Sequence, residues 1–142
     1  MFNQFKKISF TVLLSALCTS AMADVVVVAH PSASDASIIK PVIKKIYLGR
    51  MNTFPSGSPL VAVEQPSDSP TMQEFHSKVT KKTPDQLRSY WAKMVLSGKG
   101  IKLDVLQGNA AVKAWVASHP DGLGYIDASQ VDDSVKVVYT LK

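Results

Sequence analysis

Val25-Val26-Val27-Val28-Ala29 is an unbroken run of β-branched and small apolar residues with no polar position on either face. A strand with one wet face alternates apolar and polar residues. A strand with none is covered on both sides, as in a parallel sheet with helices on each face. Downstream, His30-Pro31-Ser32-Ala33-Ser34-Asp35 ends the run with turn residues. Pro41 opens a helix whose apolar face is Val42, Ile43, Ile46 and Tyr47, with Ile38 and Ile39 packing just before it and Gly49 suited to the left-handed position that ends it. After the loop Pro55-Ser56-Gly57-Ser58-Pro59, Leu60-Val61-Ala62-Val63 reads as a second buried strand. The turn-rich Gln65-Pro66-Ser67-Asp68-Ser69-Pro70 then leads into a helix capped by Ser69.

The clearest helix start is Thr83-Pro84-Asp85-Gln86, a capping box with proline at the first position and an acidic residue against the helix dipole. Leu87, Tyr90, Trp91, Met94 and Val95 follow at helical spacing as one apolar stripe that ends at Gly98, and the stripe reads as core. Val112, Trp115 and Val116 mark a last helix stopped by His119-Pro120, and two short strands follow over 123–127 and 135–141. Strands separated by helical patterns predict a three-layer α/β domain with a largely parallel sheet flanked by helices, the exception being an antiparallel end strand. The sequence contains no internal repeat and no low-complexity tract.

Upstream of the first strand, Met1-Phe2-Asn3-Gln4-Phe5-Lys6-Lys7 is a basic start, residues 8–16 are apolar or small, and Ala21-Met22-Ala23 has the small-x-small form of a cleavage site. Residues 1–23 are therefore expected to be a cleavable signal peptide, with residues 24–142 forming a single exported, periplasmic domain that has no membrane span after cleavage. Cys18 is the only cysteine, so the mature chain would hold no disulfide, and its stability would come from its core. Loss of Lys6 and Lys7 from 16 basic residues leaves 14 against 11 acidic, a net charge of +3. The lysines are scattered, without the clustered basic and aromatic footprint of a nucleic-acid binder.

Catalytic and metal-binding patterns are missing from the sequence. His30, His76 and His119 stand at unrelated spacings, and no nucleophile elbow, phosphate-binding glycine loop or dinucleotide turn occurs. Binding is thus favoured over catalysis, with no cofactor and no metal. What remains is hydroxyls near helix starts: Ser32 and Ser34 after the first strand, and Ser69 and Thr71 after the second. Free N–H groups and the positive dipole end make a helix start an anion site, although serine and threonine there also serve simply as caps. In a parallel sheet both loops would lie together outside the carboxyl ends of the strands.

Several segments in register resemble the phosphate-binding proteins of phosphate ABC transporters: Ile46-Tyr47-Leu48-Gly49-Arg50-Met51-Asn52-Thr53-Phe54, then Val61-Ala62-Val63, then Ser69-Pro70-Thr71 with Phe75 four positions on. Asp121-Gly122-Leu123-Gly124-Tyr125-Ile126 is similar to a strand of that family, and Tyr90-Trp91 with Leu96-Ser97-Gly98-Lys99-Gly100 is similar to a signature of its small relatives. The resemblance implies a single lobe of the type II periplasmic binding protein fold, a phosphate or other small oxyanion as ligand, and an ABC permease or a second copy of the chain as partner. It carries the binding serine and threonine to Ser69 and Thr71 and the binding arginine to Gln65, while Pro70 replaces the motif glycine and Met72 a further arginine. An arginine offers a bidentate charged contact where glutamine offers only neutral bonds, so the affinity expected of this loop is weak. Two function classes stay open: a periplasmic oxyanion-binding protein associated with ABC-type phosphate uptake, and a binding-lobe fold reused as an interaction module without a small ligand.

Overall fold

In the computed structural model, residues 24–142 are described. The signal-peptide reading falls on residues 1–23 and lies outside them. Strand β1 (Val25–Ala29) is buried along its whole length, as its lack of a polar face requires. Val25, Val27 and Ala29 point into one core and Val26 and Val28 into another. Each fully buried valine contributes about 1.5–3 kcal/mol relative to an exposed one.

The larger core is covered by α1 (Lys40–Tyr47) and α2 (Pro70–Val79), through Ile43, Ile46, Tyr47, Met72, Phe75 and Val79. On the opposite face lies α4 (Asn109–Ser118), which contributes Val112 and Val116. The sheet between them has the order β3-β2-β4-β1-β5, with β2 at Val61–Glu64, β3 at Asp104–Val105, β4 at Gly122–Asp127 and β5 at Lys136–Thr140. A 3-10 turn (Ala128–Gln130) joins the last two strands.

The three layers match the expected architecture, but the exceptional strand is not the one expected. β2 pairs in parallel with β3 and β4, whereas β1 pairs antiparallel with both β4 and β5. Four strands therefore run one way, and the reversed strand is β1, inside the sheet rather than at its end. Two glycines of β4 bring α4 close. A Cβ at Gly124 would stand 2.5 Å from a Val112 methyl, and one at Gly122 would stand 2.7 Å from the Trp115 ring.

Helix ends follow the sequence closely. Ser69 caps α2 by accepting the N–H of Met72, and Thr83 and Gln86 complete a capping box on α3 (Pro84–Leu96). Gly49, at φ +70°, ends α1 with paired bonds from its own N–H to Ile46 and from Arg50 N–H to Lys45. The helix starts at Lys40, one residue before Pro41, and Ile39 is exposed rather than packed.

The α3 stripe departs most from expectation. Only Leu87 is buried; Tyr90, Trp91 and Met94 are half-buried, and Val95 is exposed. The helix is held by its first turns, where Tyr90 donates to the Leu48 carbonyl at 2.6 Å and Trp91 lies against Gly49. Its last turn, with Met94 and Val95, faces Gly100, Leu103 and Val105 across an open cleft rather than packing into the core. Among the described residues no helix is long and apolar enough to cross a membrane.

Candidate functional site

β2 and β4 run in the same direction, so their carboxyl ends meet at one end of the sheet. The loop after β2 carries Gln65 and Ser69 there, and the first turn of α2 carries Thr71, beside the end of β4 and the start of α4. Gln65 is almost wholly buried, and its carboxamide is fully engaged. It donates to Asn109 Oδ1 at 3.0 Å and to the Tyr125 carbonyl at 2.9 Å, and its Oε1 accepts the Ser69 hydroxyl at 2.9 Å. Asn109 Oδ1 also accepts the Asp127 N–H, which ties the loop to the last residue of β4. Ser69 in turn accepts the Met72 N–H at 3.3 Å. Pro70 brings no N–H to the helix start. At Thr71, neither the hydroxyl nor the N–H has a hydrogen-bond partner among the described residues.

Ser32 and Ser34 are not brought to this loop. Because β1 is reversed, its carboxyl end lies at the opposite end of the sheet, where Ala29 pairs with Leu123 near the start of β4. Ser32 bonds to His30 Nδ1 at 2.7 Å, and both serines line a shallow cleft with Pro59, Pro120 and Asp121. The expected meeting of two hydroxyl loops rested on β1 being parallel to β2.

Directly beneath the Gln65 loop lies a polar network in an aromatic surround. Glu64, the last residue of β2, accepts from the Tyr125 hydroxyl and from the Gln65 N–H at 3.1 Å with one oxygen, and meets His76 Nε2 at 2.7 Å with the other. His76, fully buried on α2, places Nδ1 2.9 Å from the Thr80 hydroxyl. The Phe75 and Tyr125 rings stack at 3.9 Å between centroids, and Tyr47 meets both edge-on. Burial, and then the neighbouring Glu64 carboxylate, hold the Tyr47 and Tyr125 hydroxyls well above the ordinary tyrosine range, so both stay protonated.

Sequence reasoning missed Glu64, His76, Asn109 and Tyr125. Glu64 and His76 are 12 positions apart, and Glu64 and Tyr125 are 61 apart, so only the fold pairs them. No group of three His, Cys, Asp or Glu side chains placed to hold a metal ion occurs among the described residues.

No protein-family model matches the sequence, and no curated protein does either. Solved structures do match in fold. A protein from Clostridium perfringens, described as a phosphate ABC transporter substrate-binding protein and solved with bound phosphate, aligns with a TM-score of 0.66 at 22% identity over 82% of this chain and 44% of its own. An ABC-type phosphate transport receptor from Vibrio cholerae gives 0.64 at 16% identity over 82% and 45%. PstS from Borrelia burgdorferi gives 0.63 at 13% over 82% and 46%. The chain spans less than half the length of each of these proteins. Residues 24–142 thus form a mixed α/β domain with the fold of about half of a phosphate ABC transporter substrate-binding protein.

Proposed function

We propose that the chain is an exported, periplasmic solute-binding-like protein that holds phosphate or a related oxyanion weakly at the start of α2, in association with ABC-type phosphate uptake. The observation that carries this reading is the pair of open donors on Thr71, its N–H and its hydroxyl, at the positive end of a ten-residue helix in a fold shared with a phosphate-bound protein. Ser69 adds a third donor only by leaving Gln65. With no arginine in the loop, the contacts are neutral and each contributes about 1 kcal/mol, which supports dissociation constants in the high-micromolar to millimolar range, roughly. Titration calorimetry with phosphate and with sulfate at low salt tests this, with Thr71→Ala expected to abolish the heat of binding.

The second reading, an interaction module without a small ligand, is favoured by one specific observation. Every polar group of the Gln65 side chain, and the single hydroxyl proton of Ser69, is already satisfied inside the protein. If neither oxyanion gives heat in wild type, this second reading replaces the first.

A further inference from the structure

The far end of α3 and the turn after it form an exposed tip that carries large apolar side chains and unpaired lysines. Leu96 is 88% exposed, Val95 69% and Ile101 38%. Scattered single apolar residues are normal on a surface, whereas three large ones on one short segment mark a contact site. The segment is ordered by its own bonds. Gly98 and Lys99 donate to the Val95 and Met94 carbonyls at 3.1 Å each, and Gly100 packs so closely on Met94 that a Cβ there would stand 2.7 Å from its methyl. Between Asp85 and Asp104 the sequence has no acidic residue and four basic ones. Arg88 is paired with Asp85, while Lys93, Lys99 and Lys102 are exposed and make no ion pair among the described residues.

We propose that this tip, Val95, Leu96 and Ile101 with Lys93, Lys99 and Lys102, is a peripheral anchor for an anionic lipid surface. The charge pattern selects that occupant. Apolar side chains inserted to the depth of the headgroups, with ammonium groups around them at the level of the lipid phosphates, satisfy both halves of the tip at once. A second copy of the chain satisfies only the apolar half, because a two-fold pairing sets the same three lysines against each other. The oxyanion reading is independent of this anchor, since Thr71 lies on another helix.

The test is co-sedimentation of the exported chain with vesicles of phosphatidylcholine alone and of phosphatidylcholine with about 30 mol% phosphatidylglycerol, at low and high salt. Whatever N-terminus the protein carries is common to all variants, so differences among them report on the tip. Wild type should bind the anionic vesicles, more weakly at high salt, and should leave the neutral ones nearly empty. Each of Lys93→Gln, Lys99→Gln and Lys102→Gln should weaken binding by about fivefold, and Leu96→Asp by about tenfold or more. Leu96 and the lysines are exposed, and unchanged circular dichroism should confirm that the variants fold. Absence of binding to anionic vesicles overturns the proposal, as does binding that the Leu96 and lysine variants leave intact. Sedimentation equilibrium without lipid, showing a dimer that Leu96→Asp dissolves, overturns it in favour of a second copy.

Discussion

The Ser69 hydroxyl donates to Gln65 Oε1 across 2.9 Å, so the one proton that Ser69 could offer to an anion is already held by the protein. Gln65 stands where the resemblance places an arginine, and here it works as a brace between the loop, α4 and β4. Gln65→Ala should lower the stability of the fold by about 1–3 kcal/mol, because the Tyr125 carbonyl and Asn109 lose their donor in a buried setting. Chemical denaturation measures it. A loss below about 0.5 kcal/mol would mean that water replaces the carboxamide and that the loop is open.

Thr71 is the complementary case. Its side chain makes no bond to the protein, so Thr71→Ala should leave the unfolding free energy within about 0.5 kcal/mol of wild type, as for an ordinary partly exposed position. Any loss of oxyanion binding in that variant then reports on contact with the ligand rather than on folding.

Gly124 tests how closely α4 lies on the sheet. A Cβ there would overlap the Val112 methyl at 2.5 Å and crowd Val116 at 3.3 Å, both fully buried. Gly124→Val should destabilise by about 1–3 kcal/mol or more through overpacking. Gly124→Val combined with Val112→Ala should recover part of that loss, since the second change vacates the overlapped space. No recovery would locate the strain in the β4 backbone instead.

What the sequence made legible was local or periodic. The capping box at Thr83 and Gln86 and the cap at Ser69 lie within a few residues of their partners, and both formed as read. The β1 run established that both faces are covered, which is true, but hydrophobicity carries no sign for strand direction. That direction is decided by β4 and β5, each more than ninety residues away in the chain. The reversal sends Ser32 and Ser34 to the far end of the sheet, so one missed direction altered half of the expected site. In α3 the apolar spacing was real, yet spacing alone does not say whether a layer lies opposite the whole stripe. Only Leu87 met one.

Alkaline pH should unfold the protein cooperatively. The buried hydroxyls of Tyr47 and Tyr125 are shifted upward, first by burial and then by Glu64, so the folded state holds their protons more tightly than the unfolded chain does. That contribution is complete below the ordinary tyrosine value near 10 and is lost as pH rises beyond it, when the unfolded chain ionises and the folded one does not. The phenolate absorbance of these two rings should therefore appear together with the loss of far-ultraviolet circular dichroism. Ionisation of both in the intact fold would show that the aromatic cluster is wet.

The Glu64–His76 contact should behave as a coupled unit with Tyr125. Glu64 is 12% exposed at its side chain and His76 not at all, so removal of either partner leaves a buried polar group behind. The two removals are unequal, because Glu64 serves three partners (His76, Tyr125 and the Gln65 N–H) while His76 gives up only Glu64 and Thr80. Glu64→Ala should cost about 3–5 kcal/mol, because three hydrogen bonds to one carboxylate are lost together and leave buried partners unsatisfied. His76→Leu, which keeps the apolar volume and leaves Glu64 bound to Tyr125, should cost about 1–3 kcal/mol. Once Glu64 is gone the histidine has lost its main reason to be polar, so the double variant should be more stable than the sum of the two losses implies, by about 1 kcal/mol or more. Denaturant titrations of all four proteins close the cycle. Additive losses would mean that Glu64 is held by Tyr125 and Gln65 alone, with His76 merely filling space beside Phe75.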